Sequence, residues 1–561
     1  MARGAAARRS EPPDARAIVR RWEDLRAQSG TAMVLWQEIA EYILPTRATV
    51  TVRRAPGAEL TQELMDSTGN QALARLAATM AGSLTSPAMR WFSLKLRQQA
   101  RGEDKVITDW LGQVEEAIYL GLRQSNFNAE AAECYLDLAA FGTGCLWAGE
   151  RQREVPGFNG FVFRALPIGT YVIAENPEGD VDTLIRRFEL SAAAAAEQFG
   201  PERLPEPIQR ALQQGRPDER FPILHAVYPR RVEDPRRRDR LHLPWASVYV
   251  DERTRTVLLE DGEPEFPYMV PRWAKIAGDV WGFGPGHIAL PDLRTLNRAT
   301  ELLLQAASKV IDPPGLVSSD ATVAELDLRP GSQNVVDGDP RQAWVPLESG
   351  AKFDVSTLLR EDLRRQIREA FYWDQLQPLG TDRVMTATEI ERRMELMRRI
   401  LGPTLGRFEH EFLSRLLNRC FGLMYRARAL PEPPAEIRGQ EIDVEYEGPL
   451  VRSQKAVRLA AWEQILAHIQ ALGAISPAAA QLALDNFDLD AAVRDLAAVA
   501  GLPSAYLEDA DTVAERRAER QAQQEQAAQL EAGARLAEAA GRAAPAAQAL
   551  ARLAPLGRGA A

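Results

Sequence analysis

The chain is poor in the residues from which most enzymes build their chemistry. Of 561 residues only three are cysteine and five histidine. Cys134, Cys145 and Cys420 stand far apart without metal-ligand spacing, so they offer no zinc site and read as small buried apolar residues. His225, His242, His287, His410 and His468 include no pair four apart, and none lies beside a serine or cysteine in a nucleophile frame. A Gly-x-x-x-x-Gly-Lys-Ser/Thr loop is also missing. The nearest glycine-rich segments, Gly142 to Gly144 and Gly282, Gly284 and Gly286, lack the lysine of a phosphate cradle and read as tight turns. Asp337 and Asp339 sit in a Gly and Pro turn that suits an Asx turn better than a metal loop. No catalytic, cofactor-binding or metal-binding residue is expected, the chain does not read as an enzyme, and ATP chemistry must come from a partner. No run of about eighteen apolar residues exists to span a membrane, and the basic start (Arg3, Arg8, Arg9) lacks the apolar stretch of a secretion signal. A start in the cytosol is expected.

What is present is ample core material and a surplus of acid. A hydrophobic content of 45% on this length supports several cores. The net charge of −10 argues against tight, nonspecific wrapping of nucleic acid, which rests on neutralising phosphates. It does not exclude a DNA partner, because a conduit is better served by a weakly interacting wall.

Periodicity predicts an α+β, mainly helical chain. After a loose arm over 1–16, Ile18, Trp22 and Leu25, then Met33, Trp36, Ile39 and Ile43, mark apolar helix faces that end at Pro45. Further helices are expected over Thr68–Leu84, Val106–Arg123 and Ala129–Phe141. From Gly160 to about Tyr268 the period changes to two, with strands at Phe161–Leu166, Tyr171–Ala174, Thr183–Phe188, Ile223–Tyr228, Ser247–Val250 and Thr256–Leu259. Asp251–Thr254 closes a hairpin, and a helical insertion interrupts the strands near Ser191–Gln214. Pro291 is read as opening a helix that Pro313 and Pro314 stop. A turn-rich segment with candidate strands at Gln333–Val336 and Ala343–Pro346 follows, and a helix of similar length resumes over Val355–Trp373. Helices on either side of a compact excursion imply an antiparallel pair carrying a small module at its far end.

Thr386-Ala387-Thr388-Glu389 then forms a capping box, the threonine hydroxyl meeting the N–H three residues on and the glutamate reaching back. The helix it opens runs almost to Leu430, roughly 65 Å if continuous, with a kink expected at Gly402 and Pro403. A helical region over Ser453–Leu502 and an Ala, Gln, Glu and Arg rich tail from Asp511 complete the chain. Two features stand out as candidate functional elements. Arg360, Arg364 and Arg368 recur every four residues beside Leu359, Leu363 and Ile367, which places each set along one helix face. In a ring the arginines become stacked cationic rings, or they pair with Glu361, Asp362 and Glu369 within or between subunits. The loop Gln377, Pro378, Leu379, Gly380, Thr381, Asp382 and Arg383 is either a plain connector or a mobile projection suited to touching a passing polymer.

Several short motifs, in this order, resemble the head-to-tail connecting, or portal, proteins of short-tailed double-stranded DNA bacteriophages. They are Asp66-Ser67-Thr68-Gly69, Leu84-Thr85-Ser86-Pro87, Arg90-Trp91-Phe92, Phe141-Gly142-Thr143-Gly144, Gly282 to Gly286 leading into Leu290-Pro291-Asp292 and Leu296-Asn297, and Met385-Thr386-Ala387-Thr388-Glu389-Ile390 with Arg392. Where such relatives often carry Tyr-Gly-Arg-Gly-Pro, this chain reads Trp281-Gly282-Phe283-Gly284-Pro285 and has no cation there. The resemblance implies a ring-shaped homo-oligomer of about twelve copies around a DNA channel at one capsid vertex. It implies a wing over 17–290, stem helices over 291–312 and 355–373 with a small α/β clip over 313–354 between them, and a channel loop over 374–384. A long kinked helix over 385–430, a crown over 431–510 and a tail over 511–561 follow. The implied partners are double-stranded DNA, the terminase large subunit, a tail adaptor, and the major capsid and scaffolding proteins. The implied place is the virion's portal vertex after assembly in the host cytoplasm, with roles in packaging, retention and ejection of the genome. The alternatives are another structural ring of the virion, such as a tail adaptor or internal core protein, or a hydrolase or nuclease with an unrecognised site.

Overall fold

The computed structural model describes residues 14–55, 57–60, 64–87, 90–96, 105–151, 157–230, 239–311, 315–317, 344–346, 353–373, 402, 404–435, 442–445, 462, 464–476, 482–483, 486–487, 489–500, 508, 512–530 and 532. The chain divides into two units. The first comprises Met1–Arg97, Gln113–Pro433 and Gly439–Lys455, and the second Gln98–Gly112, Pro434–Arg438 and Ala456–Ala561.

The first unit begins with helix α1 (Ala15–Gln28), whose N-terminus is capped by Asp14 accepting from the Arg16 N–H at 2.9 Å. Its apolar stripe of Ile18, Val19 and Trp22 lies on one face of a five-stranded antiparallel sheet, against Val172, Ile185, Leu224, Ala226, Ala246, Val248 and Val250. That sheet orders its strands as they occur: β4 (Tyr171–Glu175), β5 (Val181–Ser191), β6 (Arg220–Pro229), β7 (Trp245–Asp251) and β8 (Thr256–Glu263). Between β5 and β6 lie α6 (Ala192–Phe199), capped by the Ser191 hydroxyl, and α7 (Glu206–Gln213). They pack Phe199, Leu204 and Ile208 with Phe221, Ile223 and Leu258 in a second core. The β7–β8 turn is closed by the Asp251 carboxylate, which accepts from the Thr254 amide and hydroxyl at 2.7 and 2.5 Å.

Helices α2 (Gly30–Ile43), α3 (Thr68–Leu84) and α5 (Phe127–Phe141) build the helical side of this unit, and α4 (Lys105–Arg123) straddles the boundary between the units. A three-stranded sheet in the order β3 (Phe161–Ala165), β2 (Leu146–Glu150), β9 (Tyr268–Met269) follows α5. Short ribbons pair β1 (Ser93–Leu96) with β14 (Ile442–Glu445), and β10 (Ala274–Lys275) with β11 (Gly282–Phe283). The chain then enters α8 (Pro285–Ile311), the antiparallel pair β12 (Gly315–Val317) and β13 (Trp344–Pro346), and α9 (Phe353–Ala370). Pairing of Gly315 with Pro346 brings the end of α8 and the start of α9 together, so α9 returns alongside α8. The last described helix of this unit is α10 (Arg415–Arg426), entered through a π-helical turn at Glu409–Ser414.

The second unit is helical where described, with α11 (Leu489–Ala500) and runs over 464–475 and 512–530. Trp462 meets Phe487 edge-on at 5.4 Å, and Arg517 grips Asp490 with both terminal nitrogens at 2.6 Å.

Most expected elements are present within a few residues, and α3 spans the predicted Thr68–Leu84. Two readings are corrected, and strands β2 and β12 were not foreseen. Pro291 does not open its helix: α8 starts at Pro285, which takes the first-turn position where a missing N–H is harmless, and carries Pro291 in its interior. The lost bond to the His287 carbonyl is offset by burial of Gly286, Ala289, Leu290 and Leu293 around it. The helix pair is therefore unequal, 27 residues against 18. Strand β13 matches the expected Ala343–Pro346, but its partner is Gly315–Val317; Gln333–Val336 lies outside the described residues. Strand β2 precedes the region where alternation was read, and its burial follows no strict period of two.

The glycine pairs test this packing. A methyl at Gly282 overlaps the Gly142 carbonyl, which is backbone and cannot swing away, whereas one at Gly30 meets nothing within 4 Å. Gly282→Ala is expected to cost about 3 kcal/mol. Gly30→Ala, in a helix, is expected to be neutral or to stabilise by up to ~1 kcal/mol. Chemical denaturation of the two variants checks both; equal midpoints would contradict the close approach.

Candidate functional site at the root of a helical hairpin

The motifs scattered along the sequence converge on the base of the α8–α9 hairpin. Helix α5 ends at Gly142, whose φ of 71° is the left-handed C-cap that glycine adopts without strain. The chain there presses directly on the glycines ahead of α8: a Cβ on Gly284 would stand 2.8 Å from the Gly142 Cα. The Gly282 amide donates to the Thr143 hydroxyl at 2.8 Å, the Trp273 amide to the Gly142 carbonyl at 2.8 Å, and the Gly284 amide to His287 Nδ1 at 3.2 Å. These amides are thus spent inside the protein and the space is filled by backbone. The glycines serve as turns and close backbone contacts.

Arg272 sits behind this junction with its side chain 1% exposed. Its guanidinium holds Glu411 and Glu175 and donates to the carbonyls of Gly179 and Val280 at 2.9 and 3.3 Å; its amide donates to Glu411 at 2.8 Å. Burial alone would lower the arginine pKa, but the two carboxylates hold it above the ordinary value, so the charge persists. Glu411 stands in the π-turn, where the extra residue per turn re-aims one side chain out of register with its helix. Below it, Arg415 reaches Asp180 at 3.1 Å, Arg419 reaches Glu263 and Glu265 at 2.8 and 3.1 Å, and Arg426 reaches Glu265. One helix is therefore tied to loops of the strand region along its length. No local sequence signal marks this network, because Arg272 and Glu411 are 139 residues apart.

The hairpin itself is rooted by Leu293, Leu296 and Thr300 of α8 and by Leu363 and Ile367 of α9, with Phe371 following. Segment 65–69 crosses both helices. The Met65 amide donates to Asn297 Oδ1 at 2.7 Å, and Asp66 Oδ2 accepts from Arg364 Nε and Nη2 at 3.0 and 2.8 Å. The Thr68 amide donates to the other Asp66 oxygen at 2.9 Å. Burial would raise the Asp66 pKa, yet the bonds from Thr68 and the guanidinium of Arg364 hold it below the ordinary carboxylate value. Gly69 leaves room that Leu293 and Ile43 occupy, 2.6 and 2.7 Å from where its Cβ would be.

Of the three arginines singled out from their spacing, Arg364 is consumed here, pairing also with Glu361 at 2.7 Å on its own helix. Arg360 is half-buried, its Nε without a hydrogen-bond partner, and Arg368 is half-buried. Arg365, one position on from Arg364, pairs with Asp362. Gln377 to Arg383 and Met385 to Glu389 lie outside the described residues, as do Asp337 and Asp339.

Two clusters escaped sequence reasoning. His225 lies between Ser247 and Tyr268, each at 2.9 Å, and stacks on Tyr249 at 4.0 Å. A serine beside a histidine has the outline of a nucleophile and its base. Here all three are at most 5% exposed, and burial with Arg186 nearby keeps the imidazole neutral, so the trio is a satisfied core network. Cys134 and Cys145 are brought close together, both buried as free thiols, with burial pushing each pKa up. Asp137, also buried, accepts from Arg47 Nε at 3.0 Å. Among the described residues no group of carboxylate, histidine and cysteine side chains is arranged to hold a metal.

Comparison with known proteins accords with this convergence of motifs. The family described as bacteriophage head to tail connecting protein matches residues 15–507. A probable portal protein of Bordetella phage BPP-1 is 31% identical over 537 residues, 94% of this chain and 95% of that protein. The portal protein of Salmonella phage epsilon15 is 28% identical over 475 residues, 83% of this chain and 84% of that one. Among solved structures, the neck of an empty gene transfer agent particle aligns with 77% of this chain and 95% of its own at 14% identity, with a TM-score of 0.35, too loose to carry an argument. The chain belongs to the bacteriophage head to tail connecting protein family, and its role is that of a portal between head and tail.

Removing one partner of the buried pair should be severe. Glu411→Gln is expected to cost about 3–5 kcal/mol, with Arg272→Met/Glu411→Leu recovering part of it; a double variant no more stable than the single one would contradict this account. Asp137 offers a pH test. Burial, which outweighs the pull of Arg47, lifts its pKa to about 6 from an ordinary 3.8. The folded state then holds a proton that the unfolded chain has released, so this group's contribution to stability rises as pH falls through that window and is lost as pH rises through about 6. Relative to wild type, Asp137→Asn is expected to gain on the order of 3 kcal/mol between about pH 4 and pH 7. Urea unfolding at the two pH values reads this, and parallel profiles would refute it.

Proposed function

We propose that about twelve copies close into a ring whose axial opening passes double-stranded DNA, the stem being the α8–α9 hairpin. The observation that carries this reading is the far half of that hairpin. Leu302, Leu304, Val310 and Ile311 of α8 are 47, 56, 52 and 84% exposed, and Leu358 and Leu359 of α9 are 74 and 49% exposed. Two helices cannot bury such residues against each other alone, and their exposure in one chain calls for neighbours of the same kind. Residues 313–354 serve as the clip, Gln377 to Arg383 as the channel loop, 17–284 as the wing, and 431–510 as the crown. Arg360 and Arg368 face the channel or the next subunit. Met385 to Glu389 cap the long helix.

In this reading the ring is passive. The terminase large subunit docks on the clip and supplies the ATP chemistry, the genome passes inward, and the tail adaptor later takes the same clip. Capsid and scaffolding proteins meet the wing during assembly in the host cytoplasm. A net charge of −10 per chain gives a ring of about −120, suited to a sleeve that DNA traverses without adhering. Class averages of the purified protein viewed along the symmetry axis test the proposal. A broad-winged ring with a narrow stem is expected, and a stable monomer would end it. Leu302→Asp/Val310→Asp is expected to shift the protein from rings to small species in size-exclusion chromatography.

A further inference from the structure

The structure assigns Asp66, Asn297 and Arg364 the task of setting the tilt of the α8–α9 hairpin, and through it the number of copies that close the ring. This rests on the ring reading above and adds to it the residues that decide copy number. The angular demand is severe. Twelve copies need about 30° between neighbours and thirteen about 28°, so a stem that rocks by two or three degrees at its root no longer selects one count. From Asn297 to Ile311, α8 extends about 21 Å, and three degrees at the root moves its tip by about 1 Å.

Apolar contacts at the root resist separation but tolerate sliding, because burial has no direction. The polar ties do have direction. Arg364 presents two nitrogens of its planar fork to one Asp66 oxygen, at 3.0 and 2.8 Å, while the other oxygen is held by the Thr68 amide at 2.9 Å. The carboxylate is thus fixed from the α3 side before it meets α9. Asn297 holds α8 to the preceding residue through the Met65 amide at 2.7 Å. Both helices of the hairpin are therefore referenced to two consecutive residues at the head of α3. The Asp66 side chain is 6% exposed, which keeps water from substituting for the arginine. A third tie lies beyond the end of α9, where the Arg75 guanidinium of α3 stacks over Trp373 at 4.4 Å.

The test counts subunits. Wild type, Arg364→Gln, Asp66→Asn, the double variant and Arg365→Gln are assembled and examined by native mass spectrometry, with class averages along the axis. Arg365 is the control, since among the described residues its ion pairs run along its own helix, to Asp362 and Glu369. Wild type and Arg365→Gln are expected to give one dominant count. Arg364→Gln and Asp66→Asn are each expected to raise the share of rings one copy larger or smaller about tenfold, the ratio that ~1.4 kcal/mol of lost bias produces. The double variant should be no worse than either single one. If Arg364→Gln does not fold, Arg364→Lys keeps the charge without the fork and is expected to broaden the counts in the same way. Unchanged counts in Arg364→Gln and Asp66→Asn would overturn the assignment, as would equal broadening by Arg365→Gln. A monomeric wild type would instead overturn the ring reading and carry this inference with it.

Discussion

The strand region, α10 and the approach to α8 meet on a buried cation, Arg272. Arg272 cannot be left unpaired at 1% exposure, since an isolated charge there would cost several kcal/mol. It therefore forces Glu175 from β4 and Glu411 from the π-turn to meet on it, and its amide and guanidinium bind Glu411 together. A hydrophobic contact in that place could slip by a fraction of a turn. A guanidinium satisfied by two carboxylates and two carbonyls cannot, so strand region, α10 and the approach to α8 share one register. The glycines complete the constraint from the other side: Gly142, Gly282 and Gly284 let backbones touch, and no side chain lies between them to act as a cushion.

The hairpin that leaves this junction changes character along its length. Its root is core, with Leu296 1% and Ile367 0% exposed, while its far half displays leucines and valine to solvent. The same two helices thus carry two kinds of surface, one finished within the chain and one exposed, which the proposed ring would cover. That division explains why the root needs directional ties. In the proposed ring, a lever whose outer half is held by copies of itself must take its angle from its own subunit. The polar contacts at Met65 and Asp66 are placed where the finished surface ends.

Much of the fold was legible from the sequence, for reasons that differ by element. Helix α1 announced itself through Ile18, Trp22 and Leu25 on one face, though its Asp14 cap fell within the expected loose arm, and α3 was legible over its full span. Strands β4 to β8 were legible as short runs rich in valine, isoleucine and aromatics between turn residues, although cores lie on both faces of their sheet. Strand β2 and the two-residue ribbons were not legible, since two residues carry no period and the burial of β2 follows none. Pro291 misled because proline's preference for a first turn is a local rule, and here Pro285 already fills that position. At the site, the motifs around Asp66, Gly142, Gly282 and Asn297 were visible as motifs, but their meeting was not. Their partners lie far away in the chain: 298 residues separate Asp66 from Arg364 and 232 separate Met65 from Asn297. Periodicity speaks only of the nearest turn.

Arg364 shows how spacing and chemistry part company. A row of arginines every four residues invites a reading as a cationic surface, and the geometry of a helix supports that for any exposed row. A guanidinium is also the best residue for orienting two elements against each other, since it fixes both distance and plane. Which use prevails depends on whether a carboxylate is already held in position to receive it. Asp66 is so held by Thr68, and the arginine opposite it becomes part of the scaffold.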